Sequence, residues 1–136
     1  MIEIQTTGLS ITQTRLDEIE RALDEMLAGS KASCIIVINS DDGSLITTKG
    51  CTDALDTVSL AALAAGAFAS TREIASLIGE PEFTVLFHQG KRQNVHVNVA
   101  GEHCLVMTLF SDETTVGMVR LCARKACLCF MHALDG

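Results

Sequence analysis

The stretch from Asp53 to Gly79, DALDTVSLAALAAGAFASTREIASLIG, constrains this chain more than any other. From Val58 to Ser70 it carries no charge, and its apolar residues recur at helical spacing. Leu60, Leu63, Ala67, Ile74 and Ile78 fall near one helical face, while Ser59, Ala62, Gly66 and Ala69 form a second face of small residues. A helix that is apolar on more than one side is normally covered on more than one side. One face can cover the sheet of its own domain. The small face then needs a different cover, and small side chains let two backbones approach closely.

Elements on either side of this helix follow from periodicity and breakers. Ser10 or Thr12 can cap a first helix over Ile11–Ala28, with Leu16, Ile19, Leu23, Met26 and Leu27 as its apolar stripe and Gly29 as its stop. CIIVI, residues 34–38, has the continuous β-branched character of a strand covered on both faces. Asp41-Asp42-Gly43 predicts a hairpin turn, and Leu45–Thr48 returns as a strand. The long helix, Leu55–Ile78, ends at Gly79-Glu80-Pro81, because proline cannot continue a helix. Phe83–His88, Asn94–Val99 and Cys104–Phe110 are three further strands joined by short turns. In the middle one Val95, Val97 and Val99 alternate with Asn94, His96 and Asn98. A last helix is expected over Asp112–Leu134, capped by Ser111 or Asp112, with Val116, Val119, Ala123, Cys127, Phe130 and Leu134 as its apolar stripe. The order α-β-β-α-β-β-β-α, with a meander of three strands, implies a two- or three-layer α/β (α+β) sandwich. Residues 1–10 read as a short tail and 11–136 as a single domain.

Composition narrows the function. The chain has 136 residues, 48% hydrophobic and 20% charged, which suits a packed core rather than disorder. With 17 acidic against 10 basic residues, its formal net charge of −7 repels phosphate backbones and anionic lipid. Trp and Tyr are absent, so stacking platforms for nucleic acid would fall to five Phe. Nucleic acid is therefore an unsuitable partner. Membrane insertion is not expected, since Ser59, Gly66 and Ser70 interrupt the one apolar stretch. The first ten residues lack the basic and apolar regions of a signal peptide, so a cytoplasmic location with reduced cysteines is expected.

Reactive side chains do not assemble into a site by spacing. Cys34, Cys51, Cys104, Cys122, Cys127 and Cys129 include no C-x-x-C pair, and no metal set or cofactor is expected. Cys122 and Cys129 share a helix face, but two thiols make an incomplete ligand set; small buried hydrophobes are the plainer reading. His88, His96 and His103 could form a row across the sheet that binds metal or senses pH. Without a carboxylate or thiol placed beside them, surface or helix–sheet packing is preferred. No nucleophile elbow and no phosphate-binding glycine loop occurs, so no catalytic residues are assigned. Gly43 is explained by the positive φ of its turn.

Several pieces in fixed order carry a family resemblance. They are the first amphipathic helix, the strand CIIVI, the turn and strand Asp42-Gly43-Ser44-Leu45-Ile46, the helix segment SLAALAAGAFAS, the strand Leu105–Phe110 and the helix start Thr115-Val116-Gly117-Met118-Val119-Arg120. Over roughly Ile11–Leu134 the chain resembles the roadblock / dynein light chain family, in its bacterial and archaeal MglB-like branch. The resemblance implies a five-stranded antiparallel sheet with the long helix on one face and the terminal helices on the other. It implies a homodimer in which the long helices pack together and the strands at Phe83–His88 meet edge to edge. The expected interface comprises Ser59, Ala62, Gly66, Ala69, Phe83, Val85 and Phe87. It further implies a non-enzymatic regulator or scaffold that binds a small Ras-like GTPase, without hydrolysing nucleotide itself. Arg72 and Glu73 are candidate partner contacts. The segment CARKACLC, residues 122–129, matches no motif of the family. It leaves open a small-molecule or redox sensor that uses a sheet–helix cavity or the Cys-rich last helix. An enzyme of unfamiliar type is the third alternative.

Overall fold

A computed structural model describes the backbone of residues 3–6, 9–50 and 52–135, and the side chains of residues 12–50 and 52–129. In chain order the elements are β1 (Glu3–Thr6), β2 (Leu9–Thr12), α1 (Gln13–Ser30), β3 (Cys34–Asn39), β4 (Leu45–Gly50), α2 (Thr57–Ile78), β5 (Val85–Gln89), β6 (Asn94–Ala100), β7 (Cys104–Phe110) and α3 (Val116–Asp135). From α1 onward this is α-β-β-α-β-β-β-α. Strands β3 to β7 make one five-stranded sheet of order β4-β3-β7-β6-β5, antiparallel at every pairing. Helices α1 and α3 cover one face and α2 covers the other.

Side-chain alternation in the inner strands builds both halves of the core. In β3, Ile35 and Val37 point to α1 and α3, and Cys34, Ile36 and Ile38 point to α2. In β7, Val106 joins the first set, and Leu105 and Met107 the second. All six residues of β3 are buried, as a strand covered on both faces requires. The face toward α1 and α3 is completed by Ile19, Leu23, Met26, Ala123 and Ala126.

Element ends show where local signals were overridden. Ahead of α1, Leu9–Thr12 pairs antiparallel with Glu3–Thr6 in a separate ribbon, where a tail and a helix start at Ile11 were expected. Thr12 is the cap of α1, its hydroxyl accepting from the Arg15 amide. Gly29 does not stop α1. The helix runs through it to Ser30 and ends at Lys31 in the left-handed region, φ 59°. A Cβ on Gly29 would sit 3.3 Å from the Cys122 sulfur, so this glycine serves the close approach of α1 and α3. Helix α3 starts at Val116, later than expected, because Thr115 rather than Ser111 or Asp112 caps it: the Thr115 hydroxyl accepts from the Met118 amide. On its stripe Val119 and Ala123 are buried and Val116 and Cys127 half-buried, while the side chains of Phe130 and Leu134 lie outside the described residues.

Turn chemistry matches the expectation more closely. Asp41 and Ser44 donate backbone amides to the side chains of Asn39 and Asp42 respectively, and Gly43 takes φ +74° against Ala62 and Ala65 of α2. Helix α2 begins after Asp56, whose carboxylate accepts from the amide and hydroxyl of Ser59 and is held below the usual carboxylate range by them. It ends at Gly79, φ 80°, with the Glu80 amide reaching back to the Ala75 carbonyl.

Gly50, paired with Cys34 at the end of β4, has φ +93°, and a Cβ there would run into the Ser33 carbonyl oxygen and lie 2.9 Å from the Cys34 Cα. Gly50→Ala should therefore destabilise the fold by more than about 1 kcal/mol, since the native backbone is incompatible with a side chain. Urea unfolding of the two proteins checks this; an unchanged midpoint would contradict the packing described.

Candidate functional site

Helix α2 meets its own sheet through small residues. Ala61, Ala64, Phe68 and Ala75 are buried against it, with Leu60 and Ala65 packed at the margin. The larger aliphatic residues expected on that side point away from it. Leu63, Ile74 and Ile78 are exposed, joined by Val58 at 65%, Leu77 at 85% and Leu63 itself at 72%. Alanines let the helix lie low over β3 and β4, and Phe68 is the one large side chain of the helix that is fully buried, in one cluster with Leu105 and Met107 of β7. The bulky residues are left to the outer side.

That outer side holds the small-residue stripe. Ser59, Ala62, Gly66 and Ala69 are all exposed. At seven-residue spacing they extend into three adjoining exposed rows: Ser59-Gly66-Glu73, Ala62-Ala69-Ser76 and Leu63-Ser70-Leu77. The middle of the face is flat and small, and one flank is aliphatic. Apart from its chain neighbours and the surrounding helix backbone, no described atom lies within 4 Å of the position a Gly66 Cβ would take.

The second component is the sheet edge. β5 is an edge strand, as β4 is at the opposite side. The two are protected differently. Between Val37 and Ile38 the β3–β4 register shifts, and β4 carries Lys49, which bonds Glu20 at 2.6 Å and Asp24 at 3.2 Å. These bonds to the two carboxylates hold the Lys49 ammonium above its ordinary range, Glu20 contributing most. A bulge and a lysine are devices that blunt an edge. β5, with the sequence VLFHQ, pairs with β6 in unbroken register and has no Lys, Asp or Glu. Val85 and Phe87 are exposed on it, and Phe87 stacks on Phe110 with centroids 6.2 Å apart. Phe83 lies two residues before the strand and is half-buried, beside Phe68, Arg72 and Glu82 in a cavity under the end of α2. It was expected on the edge itself; the strand starts later, after Pro81.

Arg72 and Glu73 do not form one patch. Glu73 continues the row of Ser59 and Gly66, whereas Arg72 lines the cavity with Phe83, Glu82 and Glu102 on the opposite flank. Neighbouring helical residues are about 100° apart, which separates them.

The histidines do not line up. Register pairs His88 with Val95, which places it on the α2 side, and His103 lies in the β6–β7 turn, 2.9 Å from Asp41. His96 is alone on the α3 side. It is 1% exposed, between Phe87 and Thr108 across the strands, and neither ring nitrogen has a hydrogen-bond partner among the described residues. The polar alternation of Asn94, His96 and Asn98 thus faces a helix rather than water. Asn98 donates to the Cys127 sulfur at 2.8 Å, and the thiol points on to the Val99 carbonyl. Burial pushes the Cys127 thiol up. Cys34 and Cys104 are buried, Cys122 half-buried and Cys129 exposed, so the expectation of uniformly buried thiols fails at the end of α3; Cys51 lies outside the described residues. Cys122 and Cys129 do share a side, lining a groove between α1 and α3. Among the described residues no group of three His, Cys, Asp or Glu side chains is placed to hold a metal, and no helix is long and apolar enough to cross a membrane.

Against this geometry the comparisons are consistent. The Roadblock/LC7 domain profile matches residues 18–110. The chain is similar to MglB of Myxococcus xanthus, at 30% identity over 87% of this chain and 95% of that one, with a TM-score of 0.82. It is also similar to the gliding protein MglB of Thermus thermophilus, at 26% identity over 97% and 98% of the two chains, with a TM-score of 0.86. A Roadblock/LC7 domain from Streptomyces avermitilis shares the fold, with a TM-score of 0.62 at 16% identity. No curated protein sequence matches the chain.

Burial, and to a lesser degree Arg120, hold the His96 imidazole below its ordinary range. In the unfolded chain it titrates near 6.5. Below that pH the unfolded state binds the proton more readily, so stability falls as pH falls through this range. His96→Phe should therefore flatten the loss of stability between about pH 7 and pH 5. Denaturation midpoints across that range check it; identical slopes for both proteins would contradict a buried neutral imidazole.

Proposed function

The chain belongs to the Roadblock/LC7 family, in its MglB-like branch, and from that premise we propose that it is a non-enzymatic homodimeric regulator that binds a small Ras-like GTPase. The observation that carries the dimer is the outer face of α2. Val58, Leu63, Ile74, Leu77 and Ile78 stand in water around a strip of Ser, Ala and Gly, and an exposed apolar face of this extent marks an interaction site. Its symmetry suits a second copy. A helix pairing with its own image brings small residues against small residues, so the backbones approach and the flanking aliphatics are covered. The open edge of β5 lies in the same reading: pairing with its own copy would satisfy its outer amides and carbonyls and continue the sheet.

The GTPase is supported by family membership and by what the chain lacks in sequence. No phosphate-binding loop occurs, so nucleotide chemistry belongs to a partner. Both MglB relatives span nearly all of this chain, and the Thermus protein is described as a gliding protein, which supports a regulatory role in gliding motility. Arg72 sits away from the small-residue strip, beside Phe83 and Glu82, and remains available to a partner when two α2 helices pair; Glu73 belongs to the paired face. A regulator must distinguish the two nucleotide states of its partner, because only differential affinity shifts that equilibrium.

Two measurements test this. Light scattering should give a dimer mass, and Gly66→Leu should give a monomer that remains folded. The protomer has room for the new side chain, and replacing a helical glycine gains about 1 kcal/mol of helix propensity. A dimer that survives Gly66→Leu would remove the helix face from the interface. Calorimetric titration against a Ras-like GTPase encoded beside this chain should show unequal affinity for its GTP-analogue and GDP forms. Equal affinity would reduce the protein to a tether, and no binding to either form would refute the proposal.

A further inference from the structure

On the α3 side of the sheet, register sets two cross-strand rows: Phe87-His96-Thr108-Ile35-Lys49 and Val85-Asn98-Val106-Val37-Thr47. Each row has polar residues near both ends. At the β4 end they are answered by α1. Lys49 bonds Glu20 and Asp24, and the Thr47 hydroxyl donates to Glu20 at 3.1 Å. At the β6 end the answer is incomplete, since α3 meets only the Asn98 amide, through Cys127. His96 Nδ1 and Nε2, Asn98 Oδ1 and Thr108 Oγ1 are all buried without a hydrogen-bond partner among the described residues. Leaving such an atom unmet costs about 1–3 kcal/mol by general experience. Four of them side by side, in a core otherwise well satisfied, are unusual and point to chemistry rather than packing.

A cavity lies against two of these side chains, His96 and Asn98. It has a volume of about 250 Å³ and is lined by His96, Asn98, Cys127, Val85, Arg120 and Arg124, among others. Two of the ten basic residues of this acidic chain thus stand at one opening, one helical turn apart. Both arginines are exposed, and no ion pair to either is found among the described residues. The cavity has a charged mouth and a neutral polar floor. Guanidinium forks match a carboxylate in two-point geometry. A neutral imidazole offers one donor and one acceptor, and Asn98 Oδ1 is an acceptor, so the floor suits a group that both donates and accepts. A hydroxyl does both, and a keto oxygen would leave Asn98 Oδ1 unmet. The volume lies below the ~300–1,000 Å³ of drug-sized sites, which limits the ligand to a small molecule.

We propose that the cavity between the β5–β6 edge and α3 binds a small hydroxycarboxylate, with Arg120 and Arg124 on the carboxylate and His96 and Asn98 on the hydroxyl. Thr108, paired with His96 on β7, lies outside the cavity lining. The site is separate from the α2 face and stands independently of the GTPase reading.

The test is an NMR titration of the full-length protein, following the His96 imidazole resonances, with racemic lactate as probe and acetate and inorganic phosphate as comparisons. Lactate should give a saturable shift with Kd below about 1 mM. Acetate, lacking the hydroxyl, should bind at least about tenfold more weakly. The double variant Arg120→Gln/Arg124→Gln, changed only at exposed positions, should weaken lactate about tenfold or more without lowering the melting temperature. Asn98→Asp, which keeps the shape of the side chain and adds negative charge to the floor, should abolish lactate binding. A response that never saturates would overturn the proposal, as would equal affinity for lactate and acetate or wild-type affinity in the arginine variant. Tighter binding of phosphate than of lactate would overturn the assignment of ligand class.

Discussion

Everything outside the sheet depends on how close α2 can lie to it. Ala61, Ala64 and Ala75 put almost nothing between the helix backbone and the strands below, and Phe68 is the one large side chain of the helix fully buried in the contact, with Leu60 at its margin. An Ala-based contact covers the sheet but contributes little apolar area from the helix itself. The aliphatic side chains of the same helix, Leu63, Ile74, Leu77 and Ile78, cannot share the contact, because it is too shallow for them. Hydrophobic stabilisation scales with area removed from water, about 25 cal/mol per Å², so the larger share available to α2 lies on its outer face. The protomer is a complete fold carrying an unfinished helix.

The two sheet edges repeat this asymmetry. β4 is closed off by a register shift, by Lys49 and by the carboxylates of α1, and Gly50 ends it in a conformation that no side chain tolerates. β5 has a clean register and apolar side chains, without any such device. An edge with no protection is hazardous unless something covers it. The unprotected edge and the uncovered helix are compatible with a single further surface only if one partner meets both, which is what an extended sheet with paired helices accomplishes.

Most of this architecture was legible in the sequence, because strand alternation, turn chemistry and breakers are local. CIIVI, the Asp-Asp-Gly turn, the Gly79–Pro81 stop and the three-strand meander all lie where those signals put them. What was not legible depended on contacts between distant elements. The assignment of faces on α2 was reversed for Leu63, Ile74 and Ile78, because periodicity groups residues by face but does not say which face meets the sheet. Gly29 has the sequence signature of a helix stop and instead accommodates Cys122, ninety-three residues away. Phe83 missed the edge strand by two residues, a boundary shift that moved it into a different cavity. The histidine row failed on register alone: one residue of offset puts His88 and His96 on opposite faces.

His96 shows the same limit from the other direction. In sequence the alternation of Asn94, His96 and Asn98 with valines has the form of a sheet with one face in water. In the fold α3 covers that face, and a solvated pattern becomes a buried polar one. The cover is uneven. Over β3 it is aliphatic, through α1; over β6 it is Ala123 and Cys127, small side chains that leave room, flanked by two arginines. Larger apolar residues at 123 and 127 would have closed the space, and valine or leucine at 96 and 98 would have removed the need for it. Polar floor, small ceiling and cationic mouth come from three separate elements, and packing alone requires none of them. Their convergence is a feature that the proposed pairing of α2 helices leaves unexplained, and it sets the α3 face apart from the rest of the chain.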